Sequence, residues 1–338
     1  MVCKLKDIAK ELNISINTVS RALKDMPDIS RPLKKVVREK AAEMGYIPSM
    51  SARQLRTGKT KTIAIVYDQY INPYYSIVTD FLHKKLYANN YSLIIFTDSN
   101  KERSLSADVA RDILSRDVDG IISFLDVGAD IKKNIDMCGV YLLLLGRNSG
   151  SGDTIDSITT DDVTGGYIAT KYLLDCGHRN ILMLSGPLGV SCFDQRLKGF
   201  VTAMNERGIT DLTKNILVLG EDGDEADELL SKVKDGFDFT AIFCYNDFLA
   251  YAVIFELEKM GLKVPSDVSV IGYDYVESHF PLAVGLASVD TGKEYTADIA
   301  AEVMLLKMKN IDEKKAYKMQ TPRLVKGKTV APVFKARQ

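Results

Sequence analysis

A repeated alternation of apolar runs and helical patterns between residues 62 and 273 constrains the fold more than any other feature of this chain. The runs 62–67 and 140–146 are largely aliphatic, which is typical of strands buried on both faces. Segments with apolar residues at helical spacing separate these runs. Strands that alternate with helices predict a parallel sheet with helices packed on both of its faces.

The alternation occurs twice in series. The strands of the first series are predicted at 62–67, 91–97, 119–125 and 140–146, and those of the second at 157–161, 180–185, 216–220, 241–245 and 268–273. Two doubly wound halves enclose a cleft, and ligands of such sheets bind beyond the carboxyl ends of the strands. The helix predicted at 293–309 and the strands after it can close either half.

The first 46 residues show instead the pattern of three short helices with one shared core. Leu5, Ile8 and Leu12 recur at helical spacing. Asn13 stands at the following turn, where it tolerates a left-handed backbone, and Ser15 suits the N-cap of a second helix. A third amphipathic helix completes this small head.

The second of these helices presents Ile16, Asn17 and Arg21 to solvent near its N-terminus, the end of a helix that favours phosphate. This is the arrangement of a recognition helix in the major groove of DNA. Two short amphipathic helices also occur in proteins that bind no nucleic acid, so the motif alone leaves both interpretations open.

The distribution of charge favours the DNA-binding interpretation. Residues 1–60 carry 13 lysines and arginines against 6 acidic residues, whereas residues 61–338 carry 31 against 39. A basic head on an acidic body indicates that the head meets a polyanion and the body does not.

The segment after the head has two interpretations. Ser49 can cap a helix that runs to about residue 56, but such a helix is too short to be stable alone in water. Its leucine, Leu55, has little to pack against within the segment. Either DNA or a twin helix orders the segment, or it is a disordered tether.

Other classes of protein lack their usual signals. The chain contains no GxGxxG, no Walker A sequence and no nucleophile elbow, so an enzyme is the weakest option. The five cysteines form no CxxC pair and the three histidines are far apart, so we expect neither a metal site nor a cofactor. The N-terminus lacks the apolar core of a signal peptide, which predicts a cytoplasmic protein.

Short motifs along the whole chain resemble those of the lactose-repressor (LacI/GalR) family of bacterial transcription regulators. In the head and the following segment they are DIA at 7–9, VSR at 19–21, GYIP at 45–48 and ARQL at 52–55. In the body they include VDGII at 118–122, GHR at 177–179, RLKGF at 196–200, ND at 246–247 and VSVIGYD at 268–274.

The resemblance implies an all-α helix-turn-helix head joined by a hinge helix to an α/β two-lobed core like periplasmic binding proteins. We expect the head at 1–48 and the hinge helix and linker at 49–60. The N-lobe is then 61–161 plus 291–320, and the C-lobe is 162–290 plus 321–338. The resemblance also implies a homodimer, and it places the helix at 293–309 in the N-lobe.

The resemblance assigns DNA contacts to residues of the head and hinge. Ile16, Asn17 and Arg21 fall where family members read bases: Asn can pair with adenine, Arg with guanine, and Ile can meet a thymine methyl group. Leu55 falls on the hinge leucine that wedges into the minor groove, which favours the ordered hinge. The remaining predicted contacts to double-stranded operator DNA are Ser15, Thr18, Ser20 and Arg56.

The effector-binding residues implied by the resemblance follow predicted strand ends or begin helices. They are Tyr74, Tyr75, Asp194, Arg196, Asn246 and Asp274. Val190 and Cys192 stand where the purine-repressor branch has polar residues, which argues against a purine. A sugar or sugar phosphate is the expected effector.

The sequence therefore predicts a ligand-responsive repressor of sugar-metabolism genes, in which the ligand changes the population of lobe angles and so the spacing of two hinge helices. The alternative is a sugar-binding receptor with no DNA-binding role. The basic head and the missing export signal separate the two.

Overall fold

The computed structural model describes residues 3–47, 58–69, 71–100, 103–147, 155–219, 238–280, 284–309 and 316–333. Contacts between Cα atoms divide the chain into two compact units, Met1–Thr60 and Lys61–Gln338. The hinge helix predicted at 49–56, with Leu55 and Arg56, lies outside the described residues.

The described part of the first unit is helical, as predicted. Its helices are α1 (Leu5–Glu11), α2 (Ile16–Leu23) and α3 (Arg31–Glu43). The buried residues that form their common core are Ile8, Ala9, Val19, Ala22, Val37 and Ala41. One apolar stripe from each helix is thereby removed from water, which gives this small unit its stability.

The turn between α1 and α2 has the geometry that the sequence predicts. Asn13 adopts a left-handed conformation with φ 51°. Ser15 is the N-cap of α2, and its Oγ accepts a hydrogen bond from the backbone N–H of Thr18 at 3.0 Å. The turn and the cap together fix the direction in which α2 leaves α1.

The second unit contains a six-stranded parallel sheet among its described residues, with the order β11-β5-β4-β3-β1-β2. The strands are β1 (Thr62–Tyr67), β2 (Ser92–Thr97), β3 (Gly120–Ser123), β4 (Tyr141–Leu145), β5 (Asp156–Thr160) and β11 (Tyr317–Gln320). The alternation placed β5 at the head of the second series, but β5 pairs with β4 and β11 and so belongs to the first sheet.

Helices cover both faces of this sheet. They are α4 (Pro73–Ala88), α5 (Ala107–Ser115), α6 (Ala129–Met137) and α10 (Lys293–Lys307). Because side chains alternate along a strand, Ile63 and Ile65 of β1 pack with α4 and α10, while Ala64 and Val66 pack with α5 and α6. Burial on both faces explains the uninterrupted apolar run. We call this sheet with its helices the first lobe.

The second lobe is built on a four-stranded parallel sheet with the order β7-β6-β8-β9. Its strands are β6 (Ile181–Ser185), β7 (Ile216–Val218), β8 (Ala241–Cys244) and β9 (Ser269–Ile271), and the helices among its described residues are α7 (Asp162–Asp175), α8 (Ser191–Glu206) and α9 (Asp247–Lys259). The lobe has its own continuous core, separate from the two clusters of the first lobe.

The chain passes between the two lobes after β5, after β10 (Ser288–Asp290) and after β11. β10 pairs antiparallel with β12 (Arg323–Val325), and Asp161 N–H donates to the carbonyl of Gln320 at 2.8 Å. The three connections are therefore tied to one another by backbone hydrogen bonds. The residue boundaries expected for the lobes, near 161, 290 and 321, stay a prediction.

Two further properties concern the described residues. None of their helices is both long enough and apolar enough to cross a membrane. All five cysteines lie among them and are free thiols.

Candidate functional site

The carboxyl ends of strands from both lobes meet at a cavity of about 60 Å³. Five of the six effector residues expected from the sequence line it, namely Tyr74, Tyr75, Arg196, Asn246 and Asp274. The first lobe supplies the tyrosines and the second lobe supplies the other three. This volume holds only a few water molecules, so a larger ligand requires the lobes or their side chains to move apart.

Arg196 is held in the cavity by several contacts. It lies on α8, with its Nε donating to Asp162 Oδ1 at 2.9 Å and its Nη1 donating to the carbonyl of Tyr245 at 2.5 Å. Its guanidinium carbon lies 3.7 Å from the ring centroid of Tyr273. Burial alone would lower the pKa of Arg196, but the carboxylates of Asp162 and Asp274 outweigh it and raise the pKa.

Asp274 follows β9 in a conformation that is unusual for a residue other than glycine, with φ 99°. Its Oδ1 lies 3.8 Å from Nη2 of Arg196. The buried ammonium group of Lys293, the first residue of α10, donates to the backbone carbonyls of Asp274 and Tyr275. Lys293 thus holds the backbone that presents Asp274 to the cavity.

The pKa of Asp274 makes the stability of the core depend on pH. Burial raises this pKa to about 6, from an ordinary value of about 3.9 in the unfolded chain. The folded state binds the proton more tightly, so the stability from this group is present below about pH 4 and is lost as the pH rises through about 6. Relative to D274N, the wild type should lose about 2 kcal/mol of unfolding free energy between about pH 4.5 and 6.5.

Urea denaturation of both proteins at each pH measures this difference. Groups that do not interact with Asp274 change both proteins equally, so they cancel in the comparison. Parallel curves for wild type and D274N would show that Asp274 keeps an ordinary pKa in the fold.

Asn246 has a structural role that limits how it can meet a ligand. It is the N-cap of α9, and its side-chain oxygen accepts from the backbone N–H of Leu249 at 2.8 Å. The amide nitrogen is therefore the group that can donate to a molecule in the cavity.

The two tyrosines belong to an aromatic wall in the first lobe. Tyr75 stacks on Tyr67 with 4.8 Å between the ring centroids, and the edge contact between Tyr75 and Phe124 spans 5.2 Å. Tyr74 makes edge contacts with Tyr75 and Phe124. Burial raises the pKa of both Tyr74 and Tyr75, so their hydroxyl groups stay neutral and can donate hydrogen bonds.

Asp194, the sixth expected effector residue, lies outside the lining. Its carboxylate accepts from the backbone N–H of Gly189, with distances of 3.2 and 3.1 Å to the two oxygens. Asp194 therefore stabilises the loop that leads into α8.

The cavity also contains charged residues that the sequence analysis missed. Asp68 directly follows β1, and Arg147 lies two residues after the end of β4. Because ligands of parallel sheets bind beyond the carboxyl ends of the strands, both residues could have been predicted from the sequence. Arg103 comes from an irregular segment before α5 and gave no such signal. It pairs with Asp68 at 3.0 Å.

Two contacts in the cavity join the lobes. Arg147 Nη1 donates to Cys192 Sγ at 3.2 Å, while its Nε donates to the carbonyl of Phe124 at 2.7 Å. The guanidinium carbon of Arg103 lies 5.4 Å from the ring centroid of Phe193. Both arginines belong to the first lobe, and both of their partners across the cleft belong to α8.

Two polar oxygens in the cavity have no hydrogen-bond partner within the part of the chain that the structure describes. They are Asp68 Oδ1 and Thr291 Oγ1, and both are buried. Buried polar atoms are normally hydrogen-bonded, so these two are available to a ligand.

In the first unit, α2 exposes the residues that the sequence analysis assigned to DNA. Ser15, Ile16 and Asn17 are exposed, while Thr18, Ser20 and Arg21 are half-buried. Val19 and Ala22 lie on the opposite face in the core. Arg21 makes two contacts with the carboxylate of Asp28, at 2.8 Å from its Nε and 2.6 Å from its Nη2. Leu55 and Arg56 lie in the undescribed segment.

Family models match both units. Residues 4–49 match the model of bacterial regulatory proteins of the lacI family. Residues 60–326 match the model of periplasmic binding proteins and the sugar binding domain of the LacI family. The second match alone covers more than half of the chain.

Relatives align over nearly the whole chain. The HTH-type transcriptional repressor PurR of Vibrio vulnificus is 30% identical over 334 residues, which are 97% of this chain and 99% of the relative. The protein of the same name from Photobacterium profundum is 30% identical over 96% of this chain and 98% of its own length.

Solved structures share the fold. The lac repressor dimer bound to operator and the anti-inducer ONPF has a TM-score of 0.81 and 20% identity, covering 98% of this chain and 100% of that one. A regulator from Enterococcus faecium with bound ribose has a TM-score of 0.71 and 24% identity, covering 81% and 100%. With its helix-turn-helix unit, its two-lobed core and these matches, the chain belongs to the LacI family of ligand-responsive, DNA-binding bacterial transcription regulators.

Proposed function

We propose that this protein is a cytoplasmic, homodimeric repressor that binds operator DNA through α2. A neutral sugar bound in the cleft raises or lowers its affinity for that DNA. The DNA contacts are Ser15, Ile16, Asn17, Thr18, Ser20 and Arg21, with Leu55 and Arg56 of the hinge. The effector contacts are Tyr74, Tyr75, Arg196, Asn246 and Asp274. A receptor without a DNA-binding role would have no use for the helix-turn-helix unit.

The charged residues that line the cavity favour a neutral sugar over a sugar phosphate as the effector. Among the described lining residues, Arg103, Arg147 and Arg196 face Asp68, Asp162 and Asp274. Two of the arginines are already paired with carboxylates, Arg103 with Asp68 and Arg196 with Asp162. A phosphate group would have to displace a carboxylate or lie close to one, which like-charge repulsion disfavours.

The remaining features of the cavity suit a polyhydroxyl ligand. Carboxylate oxygens accept from hydroxyl groups, and the amide nitrogen of Asn246 and the tyrosine hydroxyls donate to them. The aromatic wall offers an apolar face to a sugar ring. The PurR relatives make a purine the second candidate, but Cys192 brings a thiol to the cavity at a position where that branch is expected to have a polar residue.

A bound sugar would act by favouring one angle between the lobes. The contacts Arg147–Cys192 and Arg103–Phe193 already span the cleft. A ligand that fills the space between them changes the relative population of the open and closed states by its differential affinity for each.

Selection of bound sequences from a random duplex pool, followed by ligand titration, tests this function. The selected duplex should bind more tightly than random duplex, and one neutral monosaccharide or disaccharide should change its Kd by about 5–150-fold. D274N should bind the duplex equally but respond less to the sugar. A response only to purine bases or only to phosphorylated sugars would overturn the sugar assignment, and the absence of any preferred sequence would overturn the operator-binding role.

A further inference from the structure

The bidentate ion pair between Arg21 and Asp28 joins the recognition helix to the loop that follows it. Arg21 lies in the last turn of α2, and Asp28 lies between α2 and α3. Nε and Nη2 of the arginine contact Oδ2 and Oδ1 of the aspartate, respectively. The hydrogen bond raises the pKa of Arg21 and lowers that of Asp28, so both groups are charged at neutral pH.

The geometry of the pair leaves one defined edge of the guanidinium group open. Arginine carries five N–H donors in a rigid planar fork. Asp28 occupies the edge formed by Nε and Nη2. The other edge, formed by Nη1 and the second N–H of Nη2, makes no hydrogen bond with any of the described residues.

The open edge matches the acceptors of a guanine. In the major groove, guanine presents O6 and N7 side by side, and an arginine fork binds both at once. An unrestrained arginine side chain samples many rotamers and loses that freedom when it binds. An arginine whose other edge is already held by a carboxylate samples fewer rotamers, so binding costs it less conformational entropy. We propose that Asp28 is a specificity-determining residue that holds the open edge of Arg21 toward guanine, an inference that rests on the proposed DNA-binding role of α2.

The charge of Asp28 has a separate effect on DNA binding. Nonspecific binding depends on attraction between cations and phosphates, and a carboxylate beside the DNA opposes it. Asp28 therefore weakens phosphate attraction to operator and random duplex alike, while it supports one of the contacts that read a base. Only the support of the base contact increases the ratio of operator affinity to random-duplex affinity, which is the quantity that matters for finding an operator in a genome.

The other ion pairs among the described residues of this unit do not involve α2. Asp25 pairs with Lys34 and Arg38, and Glu43 pairs with Lys40 at 2.7 Å. The cations of these pairs belong to α3. Glu43 consequently provides a matched control, because E43A removes one negative charge from the same unit without touching a residue of α2.

The test measures Kd values of the full-length protein and its variants D28A, E43A, R21A and R21A/D28A. The probes are the selected operator, the same operator with 7-deazaguanine at each guanine in turn, and a random duplex. Because 7-deazaguanine lacks the N7 acceptor, it reveals which guanine Arg21 reads. Asp28 is exposed, so thermal unfolding should confirm that D28A folds like the wild type.

We expect D28A to reduce the ratio of operator to random-duplex affinity by about tenfold, within the range of one bidentate base contact. Its sensitivity to 7-deazaguanine at the Arg21 position should fall, E43A should keep the wild-type ratio, and D28A should have no effect on the ratio in the R21A background. The inference is overturned if D28A changes both affinities by the same factor as E43A does. A wild-type protein without any preferred sequence would instead overturn the operator-binding role itself.

Discussion

Replacement of Arg196 by methionine should lower the unfolding free energy of the core by about 3–5 kcal/mol, because it leaves two buried carboxylates without their cation. Arg196 is 8% exposed, and its partners Asp162 and Asp274 are equally enclosed. In water each carboxylate would be solvated, but in this cavity the guanidinium group is the main compensation for their burial. Urea denaturation followed by circular dichroism measures the loss.

Arg207, at the end of the same helix, provides the control for this experiment. It pairs with Asp175 on the protein surface, where side-chain exposure is 39% and 46%. A surface pair contributes about 0–1 kcal/mol, so R207M should change stability by no more than that. Equal losses for R196M and R207M would mean that the cavity is well hydrated and that its charges do not depend on one another.

Replacement of Gly199 by alanine should destabilise the core by about 3 kcal/mol or more, at the upper end of the range for overpacking. A Cβ atom at Gly199 of α8 would lie 2.2 Å from the carbonyl oxygen of Val163 and 2.5 Å from the backbone nitrogen of Tyr167. A Cβ atom at Gly166 of α7 would likewise lie 2.1 Å from the carbonyl oxygen of Arg196. The two helices touch backbone to backbone, so no side-chain rotation can relieve the clash.

The same substitution at Gly128 is the control. A Cβ atom there meets nothing within 4 Å, and the backbone has an ordinary φ of −66°. Gly128 is the N-cap of α6, where alanine caps less well than glycine, so G128A should cost no more than about 1 kcal/mol. A G199A protein as stable as G128A would show that α7 and α8 can separate freely. Because α8 carries Arg196, separation of the helices should also weaken the response to effector.

The cavity shows why some of its residues could be predicted and others could not. Asn246 and Asp274 follow parallel strands of one sheet. The carboxyl ends of such strands lie at the same edge of the sheet, however the helices pack. Asp194 precedes Arg196 by two residues, and residues two apart on a helix face different directions. Cys192 and Phe193, at four and three residues before Arg196, share its side of α8 and line the cavity with it.

Contacts made by irregular segments escaped the sequence analysis for a different reason. Arg103 reaches Asp68 from a loop with no apolar periodicity, and the pair Arg21–Asp28 depends on the path of the loop after α2. Periodicity places side chains on faces of helices and strands, but it contains no information about loop paths. The alternation of strands and helices, by contrast, determined the order of elements well, apart from the sheet to which β5 belongs.

The position of β11 in the first sheet has a consequence for biosynthesis. A ribosome delivers residues 317–320 only after all four strands of the second lobe's sheet have been made, yet these residues form the edge that pairs with β5. The first lobe to emerge is consequently completed only after the sheet of the second lobe has been made, and until then the edge of β5 that β11 covers is open. Nascent chains that stall before residue 317 should therefore be the species that need chaperones most, because that bare edge can pair with other strands.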